Sequence, residues 1–174
     1  MNYSLEEEKE DSIDTMENLY LIFSIDGREY GIEIRYLIEI IAFQPITFIP
    51  NLPTYLKGVI NLRGKIIPVI DVRLRFGIPA IEYTENTCIL ILNYNNLNAG
   101  LIVDGVKEVL KIPANQIAPS PGFDKANLER FIDSIGKLDN SLSLLINVEK
   151  FIKEKDIQEV QNIIQADEIT ATLN

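Results

Sequence analysis

Two stretches of this chain repeat one another. Gly31-Ile32-Glu33-Ile34-Arg35-Tyr36-Leu37-Ile38-Glu39-Ile40 lies over Gly100-Leu101-Ile102-Val103-Asp104-Gly105-Val106-Lys107-Glu108-Val109 at an offset of 69 residues, with the Gly, the apolar positions and the Glu coinciding. Farther on, Pro68-Val69-Ile70-Asp71-Val72 lies over Leu144-Leu145-Ile146-Asn147-Val148 at an offset of 76. Strand patterns carry little information, so chance is one reading of the match. The favoured reading is a duplicated all-β unit, with small insertions changing the offset. Two such hairpin-rich units suggest two small barrels side by side, with a groove between them as the natural binding site.

The local patterns agree. Leu19–Ile25 is β-branched and aromatic, Asp26-Gly27 is a strong turn signal, and Arg28–Ile34 resumes with alternation, which predicts a hairpin. Ile38–Ile41 continues as strand into a loop marked by Pro45, Pro50 and Pro53. Thr54–Lys57 reads as one helical turn closed by Gly58. A second hairpin runs through Arg63-Gly64 and a third through the Asn-rich turn Asn93–Asn98. Pro68 lacks a ladder donor, so it is expected at an edge or a bulge. Residues 113–134 read as a long connection with a helix from Lys125 to Phe131, and Leu142–Val148 as the last strand. Ile152, Ile157, Val160, Ile163 and Ile164 fall at helical spacing, predicting a C-terminal amphipathic helix over 153–174.

Composition removes whole classes of chemistry. The 174 residues include no His, so Ser-His-Asp and Cys-His catalysis and His-bearing zinc sites are excluded. The lone Cys88 excludes an internal disulfide framework. No stretch offers a basis for assigning a metal or cofactor. Residues 1–18 carry seven acids and one base and read as a flexible acidic arm, while residues 19–152 hold 14 acids and 13 bases. A near-neutral body between acidic ends argues against nucleic-acid binding. With no signal peptide and no apolar run near the length of a bilayer, the expected location is the cytoplasm, without membrane insertion.

Catalytic candidates reduce to Glu39, Asp71, Asp104 and Glu108, near strand ends, where an acid hydrolase would need two carboxylates to converge. Charges on the solvent face of strands are the simpler account. Lys57, Arg63, Lys65, Arg73 and Arg75 form a modest basic region suited to an acidic partner. It lacks the interleaved aromatic platforms that single-stranded nucleic acid would require. The residues point to a binding module, not an enzyme.

Lys57-Gly58-Val59-Ile60-Asn61-Leu62-Arg63-Gly64, followed by Ile66-Ile67-Pro68-Val69-Ile70-Asp71-Val72, resembles the CheW family of bacterial chemotaxis coupling proteins. Tyr30-Gly31-Ile32-Glu33-Ile34, Ile102-Val103-Asp104-Gly105-Val106 and Asn147-Val148-Glu149-Lys150 support it, and the spacing agrees from Leu19 to Ile152. The resemblance implies two five-stranded, SH3-like β-barrels about a hydrophobic seam, over roughly 19–81 and 82–152, with strand exchange between them allowed. It implies a non-catalytic adaptor that couples the cytoplasmic tips of transmembrane chemoreceptors to the regulatory domain of a CheA-type histidine kinase, at the receptor arrays. The remaining length favours the stand-alone adaptor over the kinase or a receiver-fused relative.

Carried over residue by residue, Leu21, Ile34 and Leu37 match the apolar positions that face the kinase, with Glu39 at the edge of that patch. Phe123 matches a second kinase contact used in building hexagonal arrays, although Ala118 and Gly122 beside it lack the charges of some relatives. Gly58, Asn61, Leu62, Arg63, Gly100 and Val103 match the receptor-binding groove. Of these, Arg63 is the expected anchor, because a planar guanidinium can fork onto a carboxylate.

Overall fold

A computed structural model of the chain describes residues 16–120, 129–152 and 155–173. Most of the acidic arm, most of the expected helix from Lys125, and Phe123 lie outside the described residues. In chain order the elements are β1 (Leu19–Ile25), β2 (Arg28–Glu33), β3 (Leu37–Ala42), β4 (Leu56–Leu62), β5 (Lys65–Asp71), α1 (Val72–Arg75), β6 (Cys88–Tyr94), β7 (Leu97–Val103), β8 (Gly105–Lys111), β9 (Ile117–Pro119), β10 (Ile132–Lys137), β11 (Leu142–Ile146), α2 (Val148–Ile152) and α3 (Lys155–Leu173). They form a six-stranded sheet of order β8-β1-β2-β11-β10-β9 and a five-stranded sheet of order β3-β6-β7-β5-β4.

The all-β class and the paired sheets agree with expectation. The sheets are not closed barrels, however: one has six strands, and no described pairing joins β3 to β4 or β8 to β9. The three tight hairpins turn on pairs of residues with positive φ: Asp26 and Gly27 (53° and 75°), Arg63 and Gly64 (50° and 84°), Asn95 and Asn96 (48° and 64°). Such pairs match the strand twist and fix the register. Thr54–Lys57 is not helical, because Leu56 starts β4 and is buried in the core. Pro68 sits in a strand with neighbours on both sides. It is tolerated because β7 pairs only with Val69–Asp71, and the facing β4 carries a register shift between Leu56 and Gly58. The 113–134 connection contains β9 and the start of β10, which lacks strict alternation.

The repeat is visible as pairing. Gly31 of β2 lies opposite Leu145 in a parallel ladder, and Gly100 of β7 lies opposite Val69 in another. These are the positions related by the two sequence offsets. The third strands are exchanged: β3 pairs with β6, while β8 pairs with β1, so each sheet contains strands from both halves of the chain.

Strands β1 and β6 are apolar on both faces, since one face looks into the curl of its own sheet and the other into the seam. From β1, Leu21, Phe23 and Ile25 enter the seam, while Ile22 joins Ile112 and Leu145 inside the six-stranded sheet. From β6, Leu90 and Leu92 enter the seam, while Ile89 and Ile91 join Ile60, Ile67, Val69 and Ile102 inside the five-stranded sheet. At roughly 2 kcal/mol for each fully buried aliphatic side chain, this two-sided burial dominates the stability. Helix α3 packs Ile157 and Val160 into the seam, while Ile163 is left 41% exposed.

Candidate functional site

β3 and β4 are the two ends of the five-stranded sheet, yet the sheet curls until they meet through side chains. The Arg63 guanidinium, in the turn after β4, donates to the Glu39 carboxylate on β3. Below the pair lies a cavity of about 120 Å³ bordered by Ile38, Leu62, Lys65 and Asn98. The side chain of Arg63 is 71% exposed, so its guanidinium can reach a second carboxylate. Its backbone is in the left-handed region, which a residue with a Cβ enters at a cost of roughly 1 kcal/mol. Asn61 fastens the turn, its Oδ1 accepting the Gly64 N–H at 3.0 Å.

The expected site residues divide into surface and interior. Glu39, Asn61, Leu62 and Arg63 are brought together around this turn. Ile34 and Leu37 are half-buried against the seam where the chain passes from one sheet to the other. Leu21 and Val103 are each 1% exposed and belong to the seam itself, so neither offers a surface for contact. Gly100 is also interior, where a Cβ would come within 2.9 Å of Ile89 Cγ2. Gly58 has φ +140°, and a Cβ there would lie 1.9 Å from the Thr47 carbonyl oxygen. Both glycines therefore serve close packing, Gly58 against the Thr47 backbone and Gly100 against Ile89.

Sequence reading missed the outward face of β3. Ile38 is 53% exposed and Ile40 is 43% exposed, on either side of Glu39. β3 alternates strictly, with Leu37, Glu39 and Ile41 half-buried and Ile38, Ile40 and Ala42 exposed, so its apolar residues are divided between the two faces. Phe48, at 74%, adds another exposed apolar side chain in the loop before β4.

The carboxylates weighed for catalysis have separate engagements. Asp71 Oδ2 accepts from the Tyr83 hydroxyl at 2.8 Å while its other oxygen caps α1 at Leu74 N–H. Burial and this donation to a carboxylate push the Tyr83 phenol well above its ordinary value. Asp104 accepts from Arg73 at 2.7 Å, Glu39 is held by Arg63, and Glu108 is exposed on β8. No described helix is long and apolar enough to cross a membrane.

Residues 19–156 match the family model described as a CheW-like domain. The chain is 35% identical over 153 residues to the chemotaxis protein CheW of Klebsiella aerogenes, a match covering 88% of this chain and 92% of that one. It is 32% identical over 138 residues to the chemotaxis protein CheW of Bacillus subtilis, covering 79% and 88%. Among solved structures, the scaffolding protein TtCheW of Thermoanaerobacter tengcongensis is similar with a TM-score of 0.74 at 35% identity, over 80% of this chain and 94% of that one.

Proposed function

Because this chain belongs to the CheW-like domain family of chemotaxis proteins, we propose that it is a non-catalytic adaptor joining chemoreceptor tips to a CheA-type histidine kinase. In this reading it works in the cytoplasm, at the membrane-associated receptor arrays, as an energetic coupling between two binding sites. The kinase face is Ile34, Leu37 and Glu39, extended by the exposed Ile38 and Ile40. Phe123 supplies a second kinase contact. The receptor face is Asn61, Leu62 and Arg63, with Gly58 and Gly100 setting the backbone and Leu21 and Val103 supporting both from within.

The observation that carries the reading is the Arg63 turn. A long, exposed cation is kept in a left-handed position where Gly or Asn would be less strained, and is aimed by Glu39 beside exposed apolar residues. Strain retained at a surface turn points to a use there.

The test is calorimetric titration with the regulatory domain of a CheA-type kinase, together with co-sedimentation on receptor-bearing membranes. One-to-one heat that changes little with salt, lost in Ile38→Asp, is expected for the kinase face. Arg63→Ala should lose co-sedimentation and keep kinase binding. No heat with the kinase domain would overturn the coupling role.

A further inference from the structure

The cavity under the Arg63–Glu39 pair does not end there. At Lys65 and Asn98, which border both, it meets a larger one of about 340 Å³, lined by Ile66 of β5, Leu97 of β7 and Ile164 of α3. Ile66 is exposed and Leu97 and Ile164 are half-buried, while the carboxamides of Asn96 and Gln165 stand exposed beside them. Lys65 is the one charged side chain lining the larger cavity. It is exposed and makes no ion pair among the described residues. Next to it, the Arg63 side chain stays largely exposed although Glu39 engages its Nη2. The groove thus combines apolar surface with two open cationic groups.

A complementary stretch belongs to the same chain. Residues 1–15, outside the described residues, carry six acids and one base, and they include Leu5 followed by Glu6, Glu7 and Glu8. Their point of attachment leads toward the groove. Tyr20, at the start of β1, lines a cavity together with Arg35 and Tyr36. The Tyr36 ring lies 5.7 Å from that of Tyr94, and Tyr94 leads into the turn that holds Asn96. The eight peptide units from Met16 back to Glu8 reach about 26 Å when extended, enough to follow this row of side chains. Lys111, opposite Leu19 at the root of the arm, is nearer but borders neither cavity.

We propose that this groove is the docking site of the chain's own acidic arm, with Leu5 on the apolar lining and the carboxylates of Glu6, Glu7 and Glu8 on Lys65 and the open side of Arg63. An exposed ion pair contributes little alone, so the apolar lining is what favours the groove over Lys111. The tether makes the contact intramolecular, with an effective concentration on the order of millimolar, so weak contacts suffice to populate it. A docked arm covers the Arg63 turn, and a partner that uses this turn must displace it. That consequence rests on the adaptor reading; the docking itself does not.

The test uses the full chain labelled with ¹³C and ¹⁵N. Nuclear Overhauser contacts are expected from the Leu5 methyls to those of Ile66 and Ile164 at about 50 mM salt, weakening at about 500 mM. The combined changes Glu6→Gln, Glu7→Gln and Glu8→Gln should shift the amides of Lys65, Ile66, Asn96 and Gln165 and leave the other sheet amides in place. Lys65→Gln should weaken the Leu5 contacts, whereas Lys111→Gln should not. Groove amides unmoved by the three Gln changes, Leu5 contacts to another surface, or equal effects of the two Lys changes would each overturn the proposal. On receptor-bearing membranes, the triple Gln variant should co-sediment with about three-fold higher affinity than the parent. Equal affinity would overturn the covering of the Arg63 turn. Leu5 contacts present while neither protein co-sediments would sink the adaptor reading and uphold the docking.

Discussion

Arg73 Nη1 lies 2.7 Å from Asp104 Oδ2, at the point where the chain leaves the five-stranded sheet after β7 to enter the other as β8. The same carboxylate oxygen accepts the Asp26 N–H at 2.8 Å, and Arg73 Nη2 is 3.2 Å from Asp26 Oδ1. Arg73 is 8% exposed, so its charge is held by these partners and not by water. One guanidinium thus ties a hairpin of one sheet to a crossover of the other.

Arg73→Ala is expected to lose about 3 kcal/mol in urea denaturation, because it strands Asp104 and frees the Pro79 carbonyl. Arg73→Lys should restore only part, lacking the fork that reaches all three acceptors. A loss under about 1 kcal/mol would show that the crossover is held by packing alone.

The Arg63 turn should separate stability from binding. Replacing Arg63 with Gly removes the strain of its positive φ, while the exposed ion pair it forfeits is worth at most about 1 kcal/mol. Arg63→Gly is therefore expected to unfold at an equal or higher urea midpoint than the parent, while failing to co-sediment with receptor membranes. A clearly destabilised variant would mean that the bridge to Glu39 holds the sheet ends together.

Gly58→Ala meets both a left-handed backbone and the Thr47 carbonyl, which is bonded in place to Val59. A loss of about 3 kcal/mol or more is expected. Gly100→Ala meets no backbone atom, only side chains, the tightest being the Cγ2 methyl of Ile89, and should cost about 1–2 kcal/mol as that side chain shifts. Equal losses at the two sites would contradict the assignment of backbone clash to the first alone.

Turns were legible in the sequence, because Asp26-Gly27, Arg63-Gly64 and Asn95-Asn96 lie where positive φ is required. The repeated stretches were legible too, and the structure places Gly31 and Gly100 at matching points of two parallel ladders. Burial was not. In a strand apolar on both sides, alternation distinguishes neither seam from sheet interior nor interior from an exposed face, so Leu21 and Ile38 look alike on paper and sit at 1% and 53% exposure. β10 escaped notice because Ser134 and Gly136 dilute its pattern, and because Pro113, Pro119 and Pro121 precede it. Strand exchange leaves no local trace, since β3 and β8 would show the same sequence whichever β1-like strand they joined.

Tyr83 gives stability a dependence on alkaline pH. Its phenol is raised above the ordinary 10.0 by burial and by donation to Asp71, so the folded chain keeps the proton longer than the unfolded one. Its contribution is full below pH 10.0 and is lost as pH rises through the folded value. In urea denaturation across pH, Tyr83→Phe should be about 1 kcal/mol less stable near neutrality, with the gap closing above pH 10.0. A gap that stays constant would mean the hydroxyl is not what Asp71 holds.

The interleaving of the halves also governs how the chain can be made. When residues 19–71 have left the ribosome, five strands exist and neither sheet can close: β1 and β2 await β8 and β11, and β3 and β5 await β6 and β7. The nascent first half is therefore a set of two-faced apolar strands with open edges, a natural client for a holding chaperone until Ile146 emerges. For the same reason, cutting the gene at the repeat boundary yields two fragments that need each other, and not two modules.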